Sequence, residues 1–131
     1  MRTIDIPTST KTEIKDITSR VRAVITESGV REGICYVFVP HTTAAVTINE
    51  NADPDVKSDI LMALDHTVPQ ELPYSHAEGN SPAHLKASMM GNSSVVIVKN
   101  GEPVLGTWQG VYFCEFDGPR TRRVLVKVME G

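Results

Sequence analysis

The chain has 131 residues, enough for one domain of ordinary size (roughly 100–150 residues) with one hydrophobic core. Its 40% apolar and 22% charged residues exclude a disordered polymer, and no apolar run approaches the ~20 residues a membrane-spanning helix needs. The net charge of −3 argues against a broad nucleic-acid or anionic-membrane surface, while leaving room for a local basic patch.

The first segment, MRTIDIPTSTKTE, lacks the apolar stretch of a signal peptide and points to the cytoplasm. Within it RTIDIP alternates polar and apolar residues, as an edge strand does. DITSRVRAVITESG then predicts a helix, with Ile17, Val21, Val24 and Ile25 on one face and Gly29 as its stop. GICYVFVP predicts a central strand and AAVTINE another, with His41-Thr42-Thr43 at the bend between them. Asp53 and Pro54 are suited to the cap and first position of a second helix, whose apolar face is Val56, Ile60, Leu61 and Leu64.

HTVPQELPYSHAEGN carries too many turn residues for regular structure and reads as a long loop of the kind that often bears function. His66 at its start ends a helix, where a capping role near the negative pole suffices. A short third helix follows, with Ser81 as cap, Pro82 next and Gly91 as stop. SVVIVK and EPVLG flank Asn100-Gly101, a hairpin turn. WQGVYFCEF and RVLVKVM form two last strands joined through DGPR. Together these predict an α+β fold over residues 1–131, with about seven strands and three helices in mixed, mostly antiparallel, two-layer or sandwich-like sheets. Cys35 and Cys114 each sit in an apolar run and read as buried free thiols.

Four polar clusters interrupt these patterns. They are His41-Thr42-Thr43, Asn49-Glu50-Asn51, the stretch from His76 to Asn80 with His84, and Trp108-Gln109 with the run from Glu115 to Arg120. Three imidazoles, His41, His76 and His84, would make an open metal site if the chain gathers them. No close His-x-His or His-Glu-x-x-His pattern supports this, and a surface or capping histidine is the plain alternative for each. The helix start after Asn80, with Thr42, Thr43 and Arg120, offers phosphate donors, although Asp117-Gly118-Pro119-Arg120 also reads as a mere turn. Glu50 and Glu115 are placed either on a solvated face or in a pocket suited to proton transfer. Trp108 reads as a core indole or as the wall of a ring site, with Gln109 beside it contacting substrate or backbone.

The blocks HTTAAVTINENADPDV, HAEGNSPAHLKASMMG and GTWQGVYFCEFDGPR resemble those of the YjbQ family in order and spacing, and the resemblance covers nearly the whole chain. It implies a small sandwich-like α+β protein that assembles as a homotrimer and is secondary thiamine-phosphate synthase-like. The family's polar motifs fall here on His41, Thr42, Thr43, Asn49, Glu50, Asn51, His76, Asn80, His84, Trp108, Gln109, Glu115, Asp117 and Arg120. On that basis Glu50, Glu115 and Gln109 are the candidate catalytic side chains. Thr42, Thr43, Asn49, Asn80, Trp108, Asp117 and Arg120 are the candidate substrate and phosphate contacts. His41, His76 and His84 are the candidate ligands of a divalent metal, zinc or magnesium. The expected reaction joins a pyrimidine pyrophosphate to a thiazole phosphate, releasing pyrophosphate. A metal-dependent phosphate-ester hydrolase and a non-catalytic metabolite- or metal-binding module are the alternatives, and a small phosphorylated metabolite is the expected partner in each enzymatic case.

Overall fold

The computed structural model describes residues 1–131. In chain order it contains β1 (Arg2–Pro7), β2 (Glu13–Asp16), α1 (Thr18–Ser28), β3 (Glu32–Phe38), β4 (Ala44–Glu50), α2 (Pro54–Thr67), α3 (Ser81–Met90), β5 (Ser93–Lys99), β6 (Glu102–Pro103), β7 (Gln109–Glu115) and β8 (Thr121–Glu130). The fold is α+β, with eight strands and three helices, and every strand pair is antiparallel. Five strands form one sheet in the order β1-β8-β3-β5-β6, and three form a second in the order β2-β7-β4.

The two sheets face each other across the main core. Period-two alternation sends Ile4, Ile6, Cys35, Val37, Val96, Val98, Val124 and Val126 inward from the larger sheet, where they meet Ala44, Val46, Val111 and Phe113 of the smaller one. Val21 and Ile25 bring α1 into the same core. The other face of the smaller sheet is buried too. Ala45, Tyr112, Cys114 and Phe116 pack there against Leu64 of α2 and Ala83 and Ala87 of α3. Strand β7 is therefore covered on both sides, which explains why its sequence is nearly continuous in apolar residues. Both cysteines are free and buried. Burial pushes the Cys35 thiol up to about 11 and the Cys114 thiol up to about 12, which disfavours the thiolate in both.

Local chemistry accounts for most of the boundaries. Asp53 caps α2, its side chain accepting the Asp55 N–H at 2.9 Å, and Pro54 takes the first helical position. Gly29 ends α1 at φ 71°. Asn100 and Gly101, at φ 54° and 76°, make the two-residue turn between β5 and β6. Three expectations need correction. EPVLG is strand only over Glu102–Pro103, with one further bond from the Val104 N–H to the Ile97 carbonyl at 2.8 Å. Ser81 is the first helical residue rather than the cap; Asn80 holds that position without capping through its side chain, which turns to Asp117 instead. Strand β2 was not anticipated. No helix is long and apolar enough to cross a membrane.

Candidate functional site

The register of β4 on β7 decides which motif residues meet. Ala44 pairs with Glu115 at one end of the smaller sheet, and Glu50 pairs with Gln109 at the other. Six residues of strand separate the ends, about 20 Å at ~3.3 Å per residue. His41, Thr42, Thr43, Glu115, Asp117 and Arg120 gather at the first end, where α3 brings Asn80 and His84. Asn49, Glu50, Trp108 and Gln109 lie at the second. One chain therefore does not assemble the expected residues into a single site.

At the first end a cavity of about 460 Å³ opens between α3 and the bend before β4, lined by His41, Thr42, Ala44, His84, Ala87, Ser88, Gly91 and Asn92. His84, Ala87, Ser88 and Gly91 recur at helical spacing and supply one wall. His41 faces them from the sheet, its Nε2 accepting the Arg123 N–H at 2.9 Å. That bond fixes the neutral tautomer with its proton on Nδ1. Desolvation, followed by the nearby Arg122 and Arg123 cations, lowers the His41 pKa from its usual value. His76 approaches His84 from the other side, the ring centroids 5.3 Å apart at 84°.

These positions do not fit a three-histidine metal centre within one chain. The acceptor nitrogen of His41 is already taken by the β8 backbone, and no group of three or more His, Cys, Asp or Glu side chains is placed to hold a metal ion. His76 and His84 remain as a pair, with the Glu78 carboxylate 3.9 Å from His76 Nε2. The phosphate cradle expected at the start of α3 is also altered. The Asn80 backbone carbonyl accepts the Ala83 N–H at 3.0 Å, and its side-chain Nδ2 donates to the Asp117 carboxylate at 3.0 Å. Arg120 donates to that same carboxylate at 3.1 Å. Asp117 thus already holds the Asn80 amide and the Arg120 guanidinium, two of the groups expected around a phosphate.

Glu115 lies behind the cavity with no exposed surface. It pairs with Arg122, whose Nε donates to its two oxygens at 2.9 and 3.0 Å. Thr8 Oγ1 donates at 2.7 Å, and the Phe116 and Asp117 N–H groups donate at 3.1 and 3.2 Å. Arg122 in turn donates to Thr43 Oγ1 at 2.8 Å. Glu115 and Thr43 are therefore internal anchors that reach no substrate, and the expected proton-transfer role of Glu115 does not fit this placement. Arg122 is the residue that pattern reading underused. In TRRVLVKV it shares the inward phase of Val124 and Val126, and a charge on that face demands a partner.

At the second end the Glu50 side chain is half-buried, and its backbone carbonyl accepts the Tyr112 hydroxyl at 2.9 Å. Asn49 Oδ1 accepts the Glu50 N–H at 2.7 Å. Gln109 Oε1 accepts the Gly106 N–H at 2.8 Å. Trp108 is 62% exposed, so it is no core residue.

The fold and first-end cavity define a two-sheet α+β protein with a polar, histidine-edged cleft. Residues 2–131 match the family model described as UPF0047 protein YjbQ-like, and the chain belongs to that family. It is 52% identical to the UPF0047 protein YugU of Bacillus subtilis, covering 98% of both chains. It is also 52% identical to a UPF0047 protein of Methanocaldococcus jannaschii, covering 95% of this chain and 90% of that one. Among solved structures it superposes on a YjbQ/UPF0047 protein of Clostridium acetobutylicum with TM-score 0.97 at 53% identity, covering 98% of this chain and all of that one. A YbjQ-like protein of Sulfolobus solfataricus gives TM-score 0.95 at 34% identity, with 99% and 96% covered.

Proposed function

We propose that this chain is a cytoplasmic enzyme acting on a small phosphorylated molecule bound in the cleft between α3 and the bend before β4. One observation carries the reading: the cleft is polar, yet no carboxylate lines it, in a chain whose net charge is −3. Its walls offer the Nδ1–H of His41, the Thr42 hydroxyl and the Asn92 amide, with the Arg123 charge nearby, while the Ser88 hydroxyl donates to the His84 carbonyl and Arg122 is paired with Glu115. Such a donor set favours an anion. In this reading His41 holds a phosphoryl oxygen by hydrogen bonding, and His84 moves a proton to or from the reacting oxygen. The finer assignment follows the family resemblance: the anion is the pyrophosphate expelled when a pyrimidine pyrophosphate joins a thiazole phosphate.

A divalent metal, expected from the histidines, belongs to the same proposal. Within one chain the His76–His84 pair would hold it. A homotrimer also belongs to this proposal. Its support is an uncovered apolar patch on the outer face of the larger sheet, where Ile34 neighbours Ile97 and Met129, and Tyr36 neighbours Val95.

The test is turnover of the two thiamine precursors by wild-type protein, with and without chelator, beside a panel of phosphate esters. The expected result is product formation that falls by about 10²-fold or more in His84→Ala, the range of a positioned acid–base group. Equal rates in wild type and His84→Ala would remove this site. Release of phosphate from simple esters, with no coupling of the precursors, would transfer the reading to the hydrolase. Metal analysis of protein purified without chelator decides the cofactor.

A further inference from the structure

The second end of the smaller sheet has a cavity of its own. It measures about 500 Å³ and is lined by Asp16, Ser19, Arg22, Asn51, Thr107 and Gln109 among others, with a single hydrophobic residue in the whole lining. Asp16 ends β2 and Arg22 lies on α1, so the step from strand into helix places one charge of each sign in the wall. No other charged side chain lines it. The two charges are not spent on each other. Arg22 donates from Nε to Glu102 at 3.2 Å, and its Nη1 and Nη2 have no partner in the chain. Asp16 Oδ1 accepts the Thr18 N–H at 2.9 Å and the Thr18 hydroxyl at 2.5 Å, and its Oδ2 accepts nothing.

This pair of groups selects the charge of what binds. An anion on the Arg22 fork also meets the Asp16 carboxylate, and a cation on Asp16 also meets Arg22. A molecule that carries both an ammonium and a carboxylate sets each against its opposite, and the two Nη groups suit a carboxylate through parallel bonds. Four residues of helix separate Arg22 from Thr18, the partner of Asp16, a rise of about 6 Å at ~1.5 Å per residue. That spacing leaves room between the charges for the short backbone of an amino acid. The remaining groups suit a polar side chain. Gln109 Oε1 accepts the Gly106 N–H at 2.8 Å, which leaves the Nε2 protons, while the Asn51 carboxamide and the Ser19 and Thr107 hydroxyls have no partner in the chain. An apolar side chain finds one hydrophobic residue to meet.

We infer that this second cleft binds a free amino acid as its zwitterion, the carboxylate on Arg22, the ammonium on Asp16 and a polar side chain among Asn51, Thr107 and Gln109. The inference is independent of the anion reading of the histidine cleft. Amide resonances of Ser19, Gly106 and Thr107 report on this cleft directly. L-glutamine and L-serine serve as probes and L-leucine as the apolar control. N-acetyl-L-glutamine keeps only the carboxylate, and L-glutaminamide keeps only the ammonium. The expected result is a saturable shift of those resonances with at least one of the two probes. Each single-charge derivative and L-leucine should bind about threefold to tenfold more weakly, since both charges are reached by solvent. Arg22→Gln should lose the preference for L-glutamine over L-glutaminamide, and Asp16→Asn the preference over N-acetyl-L-glutamine. A merely structural role for either residue would not erase one preference and spare the other. Asparagine at position 16 can still accept the Thr18 N–H, and the derivatives test the wild-type protein should a variant fail to fold. The inference is overturned by no saturable shift with either probe, by equal binding of a single-charge derivative or of L-leucine, by both preferences surviving in the folded variants, or by shifts confined to the histidine cleft.

Discussion

Glu115 and Arg122 illustrate at the scale of single residues how the histidine-edged cleft is held from behind. Their side chains are 0% and 3% exposed, so neither charge has water to fall back on. Glu115→Ala leaves a guanidinium buried with only Thr43 as partner, and the expected loss is about 3–5 kcal/mol of folding stability. Replacing both residues together by apolar side chains of similar size should cost much less than the sum of the single changes. Urea unfolding of the two single variants and the double variant measures this, and simple additivity would refute the coupling. His41 carries a second prediction. Its folded pKa is lowered, so above the unfolded value of ~6.5 it is neutral in both states and stability does not vary through it. As pH falls below that value the unfolded chain takes up the proton first, and stability declines until the folded pKa is passed. The His41 resonances should therefore titrate below the ordinary histidine midpoint, and His41→Gln should flatten the decline. A midpoint above the ordinary value would show that the Arg123 N–H bond does not set the tautomer.

Strands and helices obey tighter steric limits than the residues they carry. Gly33 lies in β3 between β5 and β8, and a Cβ there would meet the Met129 carbonyl oxygen at 2.0 Å. Gly33→Ala must push the two strands apart and should cost about 1–3 kcal/mol. At Gly29 nothing lies within 4 Å, and alanine there pays only for its positive φ, about 1 kcal/mol. Thermal denaturation of the two variants should rank Gly33→Ala as the weaker; the reverse order would contradict the observed pairing of β3 and β8. Elements of this kind were legible wherever a pattern extended over a full turn or strand. The Val21–Ile25 stripe, the Asp53-Pro54 start and the Asn100-Gly101 turn each express a local rule. Strand β2 was not legible because its four residues bury only Ile14, too little for alternation to register. The motif residues were legible as polar interruptions, but their grouping was not. That grouping depends on β4 pairing with β7 from Ala44–Glu115 to Glu50–Gln109, a contact between segments 59 to 71 residues apart that no local pattern encodes.

Across the whole molecule, the outer face of the larger sheet is the surface left without a cover. Inward-facing Cys35, Val37, Val96 and Val98 alternate with Ile34, Tyr36, Val95 and Ile97, which with Met129 are 39–61% exposed. Toward β1 the same face turns polar through Thr3, Asp5, Arg123 and Lys127, the apolar centre and polar rim typical of a contact surface. In a closed cyclic trimer each subunit presents two different patches, so every one of the three interfaces contains this face once. One substitution then weakens all three contacts. Ile97→Glu, outward on β5 opposite Ile34, buries a carboxylate among apolar side chains in each interface while leaving the intramolecular core untouched. Wild-type protein should sediment as a trimer at micromolar concentration. The variant should keep the wild-type circular dichroism spectrum but raise the dissociation constant by about a hundredfold or more. A monomeric wild type would remove the trimer altogether. A dimer would mean that the face meets its own copy about a two-fold axis, and an Ile97→Glu variant that stays trimeric would place the interface on another surface.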